Sequence, residues 1–173
     1  MQLRLFRRGK GEYKDAVHKD LDLQGECGEL KSPMLHENYQ SVSQYLVKMD
    51  RYTQIEASTL FKSGKKLHVT DALRFPLQDF LKTFFLQNGY KDGLHGLVLS
   101  MLQAFYSFLV FAKVWEKQGF KEENSDDFLK VIHKEWIRAQ KEIAYWFLTA
   151  FITRTKNPIR KIKLSIQRKV KAS

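Results

Sequence analysis

Residues Arg74–Glu116 read RFPLQDFLKTFFLQNGYKDGLHGLVLSMLQAFYSFLVFAKVWE. The pattern is two apolar helices joined by a tight turn at Asn88-Gly89-Tyr90-Lys91-Asp92-Gly93. In the first helix Leu73, Leu77, Phe80, Leu81, Phe84 and Phe85 recur three and four apart, which places them on one helical face. Pro76 suits a first helical turn, where its missing N–H is not needed, and Gly89 suits a left-handed cap past the end. The second helix carries no charge between Asp92 and Lys113, about the length a bilayer span needs. His95, Gln103 and several small or hydroxyl residues interrupt it. Two readings follow: a buried core hairpin, or a hairpin lying in a membrane interface. The flanks favour the interface. Arg74, Lys82, Lys91, Lys113 and Lys117 are placed to meet headgroups, and Tyr90, Tyr106 and Trp115 suit the interfacial zone.

The whole chain of 173 residues is long enough to bury a core. Thirteen Phe and ordinary apolar content argue against disorder over most of it. Thirty Lys and Arg against nineteen Asp and Glu give a net charge of +11, which calls for an anionic partner. The cations are scattered or terminal, and no helix-turn-helix, zinc or RNA-binding signature is present, so nucleic acid is not the expected partner. Cys27 is the only cysteine, which excludes an intrachain disulfide and a multi-cysteine zinc site. The N-terminal MQLRLFRRGKGEY has cations but no apolar run, so it does not read as a secretory signal.

Upstream of the hairpin, Gln2–Phe6 alternates and reads as a short strand. Arg7-Arg8-Gly9-Lys10-Gly11 reads as a basic turn, either solvated or a phosphate cradle, without a Walker pattern. His18 and Asp20 lie two apart and could share a cleft for proton abstraction. Asn38 or Ser41 caps a helix running to about Lys62, with Val42, Leu46, Met49 and Leu60 as its apolar stripe and Gly64 as its stop. Lys48, Arg51 and Tyr52 fall within one turn of that helix. Lys66–Thr70 reads as a short strand. After the hairpin, Asn124 or Ser125 caps a helix from about Asp126 to Arg154, with Phe128, Ile132, Trp136, Ile143, Trp146, Phe147 and Phe151 on its apolar face. Asn157-Pro158 stops it. The tail IRKIKLSIQRKVKAS places Ile159, Ile162, Ile166 and Val170 at helical spacing among many cations, the pattern of a basic amphipathic helix for an anionic surface.

Taken in order, LRLFRRGKGEY, VHKDL, GELKSPMLHENYQSVSQYLVKMDRYTQIEA and the hairpin resemble the C-terminal part of bacterial family 2 glycosyltransferases. The subgroup is similar to the lipopolysaccharide-core beta-1,4-glucosyltransferases. The resemblance runs from about Leu3 to about Glu116; the rest matches nothing recognisable. It implies a mostly α chain with a few short strands, in three parts. Residues 1–72 would be the acceptor-side end of a GT-A (α/β) domain. Residues 73–118 would be the membrane-interface helical hairpin, and residues 119–173 a C-terminal helix with a basic amphipathic tail.

The resemblance also implies site residues. His18 matches the family's His, and the general base expected just after it is replaced by Lys19, leaving Asp20 as the adjacent acid. Arg4, Arg7, His36, Tyr39, Lys48, Arg51 and Tyr52 would line the acceptor or diphosphate side of the cleft. The nucleotide-sugar half, with an Asp-x-Asp motif for Mg or Mn, would precede Met1; Asp20-Leu21-Asp22 has the letters but not the position. The expected enzyme moves a hexose from a nucleotide-sugar to a lipopolysaccharide or other lipid-linked acceptor. It would act at the cytoplasmic face of the bacterial inner membrane, bound peripherally or monotopically to an anionic surface. The chain alone would then be inactive and need no metal of its own. The alternative is a non-enzymatic module or remnant that binds anionic lipid or pairs with a separate GT-A subunit.

Overall fold

The computed structural model describes residues 5–13, 21–32, 35, 39–121 and 127–172. Helices dominate, as expected from the sequence. A small antiparallel ladder pairs β1 (Gly11–Tyr13) with β2 (Leu21–Leu23), Gly11 facing Leu23. Then come α1 (Val42–Lys62), α2 (Asp71–Leu81), a π turn (Lys82–Leu86), a 3-10 turn (Gly89–Asp92), α3 (Gly93–Lys117), α4 (Phe128–Arg154) and α5 (Pro158–Ala172).

The strand expected at Gln2–Phe6 is not where the ladder forms: Leu5 and Phe6 lie outside any strand, and residues 2–4 are outside the described residues. The expected basic turn is present, closed by Lys10 N–H donating to the Arg7 carbonyl at 3.0 Å, with Gly9 at φ 81°. Phe6 folds over Gly11 so closely that a Cβ there would sit 2.9 Å from its ring. Phe6 therefore serves as this cover and not as a rung of the ladder.

Ser41 caps α1, its Oγ accepting from Gln44 N–H at 3.1 Å, while the Gln44 side chain reaches back to Gln40 N–H at 3.0 Å. Gly64, at φ 70°, follows the last turn as expected. The buried face of α1 is Met49, Thr53 and Ala57; Val42 and Leu46 of the expected stripe are exposed. Lys66–Thr70 is no strand. Asp71 closes a turn there, its Oδ2 accepting from His68 N–H at 2.9 Å while its own N–H donates to the His68 carbonyl at 2.8 Å.

Helix α2 therefore starts earlier than Pro76 suggested. Pro76 lies inside the helix, beyond the first turn. The end of the segment also differs. Gln87 N–H donates to the Lys82 carbonyl at 2.8 Å, the π spacing, and Asn88, not Gly89, takes the left-handed conformation at φ 63°. Asparagine tolerates that region. Gly89 serves a different need. A Cβ on it would meet the Thr83 carbonyl oxygen at 2.8 Å, and a Cβ on Gly96 would meet the Gly89 carbonyl oxygen at 1.8 Å. The two glycines let the turn lie directly on α3.

Helix α3 is the centre. Its buried stripe is Gly96, Ser100, Ala104, Ser107, Val110 and Val114. Small side chains at four of these positions let α1 and α2 approach closely. Asp79 of α2 meets Gln103 and Ser107, whereas Gly89 meets Gly96 and Ser100, so α2 and α3 contact one another in antiparallel order. Helix α1 also runs antiparallel to α3, through Asp50–Lys113 and Glu56–Tyr106. Helix α4 packs on α2 through Arg74–Glu135 and on the π turn through Phe85, whose ring lies 6.0 Å from Trp146 and 5.1 Å from Phe147. The expected α4 face is only partly inward. Glu135 and Ala139 are its buried residues, while Phe128, Trp136, Phe147 and Phe151 are exposed. The caps expected at Asn124 or Ser125 lie outside the described residues. Helix α5 folds back on α4, the Arg168 guanidinium lying 5.3 Å over the Tyr145 ring.

Candidate functional site: a tyrosine-lined cleft beside an exposed apolar helix

A cleft of about 520 Å³ opens between α1, α2 and α3. Its α1 wall is Tyr45, Met49, Tyr52 and Glu56, spaced four, three and four so that all share one face. Tyr39, just before the cap, closes that wall, its ring 4.9 Å edge-on from Tyr45. The opposite wall is Asp79 and Lys82 from α2 and the π turn, and Gln103, Tyr106 and Ser107 from α3.

These polar groups bond across the helices. Tyr106 donates its hydroxyl to Glu56 Oε2 at 2.6 Å. Ser107 and the Gln103 amide both donate to Asp79 Oδ2, the latter at 3.3 Å. Burial, and then the bond to Glu56, push the Tyr106 hydroxyl pKa well above the usual phenol range. Burial, and then neighbouring Tyr39, raise that of Tyr45. Tyr106 is thus held as a neutral hydroxyl that donates to the Glu56 carboxylate.

Of the residues singled out from sequence, Tyr39 and Tyr52 line this cleft, and the Lys48 ammonium sits 4.6 Å over the Tyr39 ring at its edge. Arg51 is exposed and outside the cleft-facing set, and Arg7 is exposed in the basic turn. Arg4, His18, Asp20 and His36 lie outside the described residues. Sequence reasoning passed over Tyr45, Glu56, Asp79, Lys82, Gln103 and Tyr106 as parts of one site. The signal was available for Tyr45, Tyr52 and Glu56, whose spacing marks a polar helix face.

Among the described residues no three His, Cys, Asp or Glu side chains gather to hold a metal ion. The resemblance places its divalent metal on a nucleotide-sugar half outside these residues, and no step below runs through a metal.

Three groups expected at the lipid interface, Arg74 and Lys113 at headgroups and Tyr106 in the interfacial zone, have other partners. Arg74 makes a two-pronged ion pair with Glu135, Nε to Oε1 at 2.9 Å and Nη2 to Oε2 at 2.7 Å. Lys113 donates to the Asp50 carboxylate at 2.6 Å and to Thr53 at 2.9 Å. Tyr106 faces the cleft. The outward face of α3 is apolar: Leu94, Val98, Met101, Phe105 and Phe108 recur four, three, four and three apart and are 75%, 43%, 57%, 45% and 42% exposed. Among the described residues, Gly89–Lys117 is the one helical segment long and apolar enough to cross a membrane, and only 22% of its most apolar window is buried. A core helix would be mostly covered; this one is not. It can serve as a membrane-associating segment.

Over 131 residues, 73% of its length, the chain is 30% identical to the lipopolysaccharide core biosynthesis glycosyltransferase LpsC of Rhizobium meliloti. The chain is related to bacterial glycosyltransferases. Uncharacterized glycosyltransferases of Rickettsia felis and Rickettsia prowazekii are each 33% identical to it over 99 and 97 residues, 57% and 56% of this chain. The chain spans 48% of LpsC, 35% of the Rickettsia felis protein and 33% of the Rickettsia prowazekii protein, and the match falls in their C-terminal half. No protein-family model matches the chain, and no solved structure matches it. The resemblance read from the sequence thus holds at the level of glycosyltransferases and their C-terminal portion, while no comparison tests whether residues 1–72 belong to a GT-A fold.

Proposed function

We propose that this chain is the acceptor-side and membrane-docking segment of a glycosyltransferase. The enzyme would transfer a hexose from a nucleotide-sugar to a lipopolysaccharide or other lipid-linked acceptor at the cytoplasmic face of the inner membrane. The observation that carries the docking half is the exposed apolar face of α3 in a relative of LpsC. A lipid-linked acceptor keeps its tail in the bilayer, so an enzyme acting on it gains from an apolar surface that holds the cleft at the lipid boundary.

The C-terminus supports the same reading. Residues 143–173 contain eight Lys and Arg and no Asp or Glu. In α5, Ile159, Ile162, Ile166 and Val170 are all exposed on one stripe between those cations. Each cation near an anionic surface contributes about 1 kcal/mol, and the stripe adds apolar burial in the interface. In the division proposed here, residues 1–72 end a GT-A domain, 73–118 form the interface pair and 119–173 the basic clamp. His18 and Asp20 keep the proton-transfer role that the resemblance implies, and Tyr39 and Tyr52 the acceptor side.

The test is a pair of assays on the 173-residue chain. Flotation with phosphatidylglycerol vesicles should carry it to the lipid layer, and neutral phosphatidylcholine vesicles should carry much less. Hexose transfer from a nucleotide-sugar should require a co-expressed GT-A half. Transfer by the chain alone would refute the division of labour. Flotation without transfer alongside that half would leave the non-enzymatic lipid-binding module.

A further inference from the structure

We propose that the cleft between α1, α2 and α3 binds one uncharged pyranose ring, the terminal sugar of the acceptor, and excludes a phosphate or diphosphate. This deepens the acceptor-side reading and rests on it for the source of the sugar. Three features carry it. The first is shape: a cleft of about 520 Å³ is within the range of small-molecule sites, and it opens to solvent between three helices. The second is the pairing of aromatic rings with hydrogen-bonding groups. Tyr39, Tyr45 and Tyr52 line one wall, and Glu56, Asp79 and Lys82 share the same space. A pyranose presents an apolar C–H face and a rim of hydroxyls, the complement of that arrangement. Among the described residues both bonds to the Asp79 carboxylate fall on Oδ2, which leaves Oδ1 to accept a sugar hydroxyl in a charge-assisted bond.

The third feature is charge. Two carboxylates face this space, against the exposed ammonium of Lys82. Lys48 already stacks on Tyr39, and Arg51 lies outside. A diphosphate needs a surplus of positive charge, and here it would meet Glu56 and Asp79 instead. A neutral polyhydroxyl ring meets no such repulsion. Sequence reading had assigned this region to the acceptor or the diphosphate without deciding between them; the two carboxylates favour the acceptor.

Saturation-transfer NMR on the full chain in phosphatidylglycerol nanodiscs tests this. The probes are the methyl pyranosides of glucose, galactose and mannose, with inorganic pyrophosphate as the charged competitor. We expect transfer to the ring protons of at least one pyranoside at millimolar concentration, undiminished by pyrophosphate. Asp79→Asn should weaken binding about tenfold, the loss of one hydrogen bond to a charged group. Lys82→Ala, at an exposed side chain, should weaken it while circular dichroism stays unchanged. No transfer from any pyranoside, pyrophosphate displacing the sugar, or full binding by a folded Asp79→Asn chain would each overturn the proposal. Vesicle flotation of the same samples separates the outcomes. A chain that floats but binds no sugar loses this inference alone, whereas one that does not float loses the docking reading.

Discussion

Gly96 shows how one hydrogen atom in place of a methyl group sets the geometry of the site. A Cβ at Gly96 would sit 1.8 Å from the Gly89 carbonyl oxygen, a backbone atom that cannot rotate away. In an exposed helix Gly→Ala stabilises by about 1 kcal/mol. Here the sign reverses, and we predict that Gly96→Ala costs about 3 kcal/mol, read as a lowered thermal midpoint of the helical signal. The Arg74–Glu135 pair is a second residue-scale lever. Glu135 is buried and Arg74 partly exposed. The bond from Arg74 is the main reason the Glu135 carboxyl titrates below its usual range, and Arg138 adds to it. A carboxyl lowered in the folded state contributes stability that is present above its unfolded pKa and is lost as pH falls through its folded value. Arg74→Met should therefore cost about 2 kcal/mol at neutral pH, discounted for the exposure of Arg74. The gap between variant and parent should narrow as pH falls below the ordinary glutamate range, which denaturant unfolding at two pH values would check.

At the scale of elements, α3 carries the fold on one face and an uncovered apolar surface on the other. Met101 lies in that outward stripe and is 57% exposed, so Met101→Asp disturbs little packing. We predict that it lowers partition onto phosphatidylglycerol vesicles by at least about tenfold with an unchanged circular dichroism spectrum. An unchanged partition would mean that this face does not meet lipid. The helices themselves were legible because their apolar residues recur at helical spacing and Ser41, Gly64 and Pro158 punctuate them. Faces were less legible. Hydropathy alone put Val42 and Leu46 inside, whereas Thr53 and Ala57 are buried because close helix contacts favour small side chains over large ones. The cleft was half legible. Tyr39 and Tyr52 stood out by resemblance, but Asp79 sits unmarked in an apolar run, and Tyr106 was read as an interfacial residue. Only the antiparallel register of α2 and α3 brings Asp79 to Ser107, and that of α1 and α3 brings Glu56 to Tyr106. Arg74 and Lys113 were misread as headgroup contacts for the same reason, since their acidic partners lie 61 and 63 residues away in sequence.

For the whole molecule, the central claim is that α3 lies in a bilayer interface with its outer face in lipid while its inner face holds the cleft together. Site-directed spin labelling tests it directly. Cys27 is the only cysteine and is exposed, so Cys27→Ser gives a clean background for single labels. Labels would be placed at Leu94, Val98, Met101, Phe105 and Phe108 on the outer stripe, and at half-buried Leu102 and Phe111, on the full chain bound to phosphatidylglycerol vesicles. We predict high oxygen access and exclusion of a water-soluble nickel chelate along the outer stripe, low access to both at Leu102 and Phe111, and a similar depth from Leu94 to Phe108. Nickel access along the stripe would contradict membrane docking. Oxygen access all round the helix, with depth rising and then falling along it, would show an isolated span and contradict the interfacial placement.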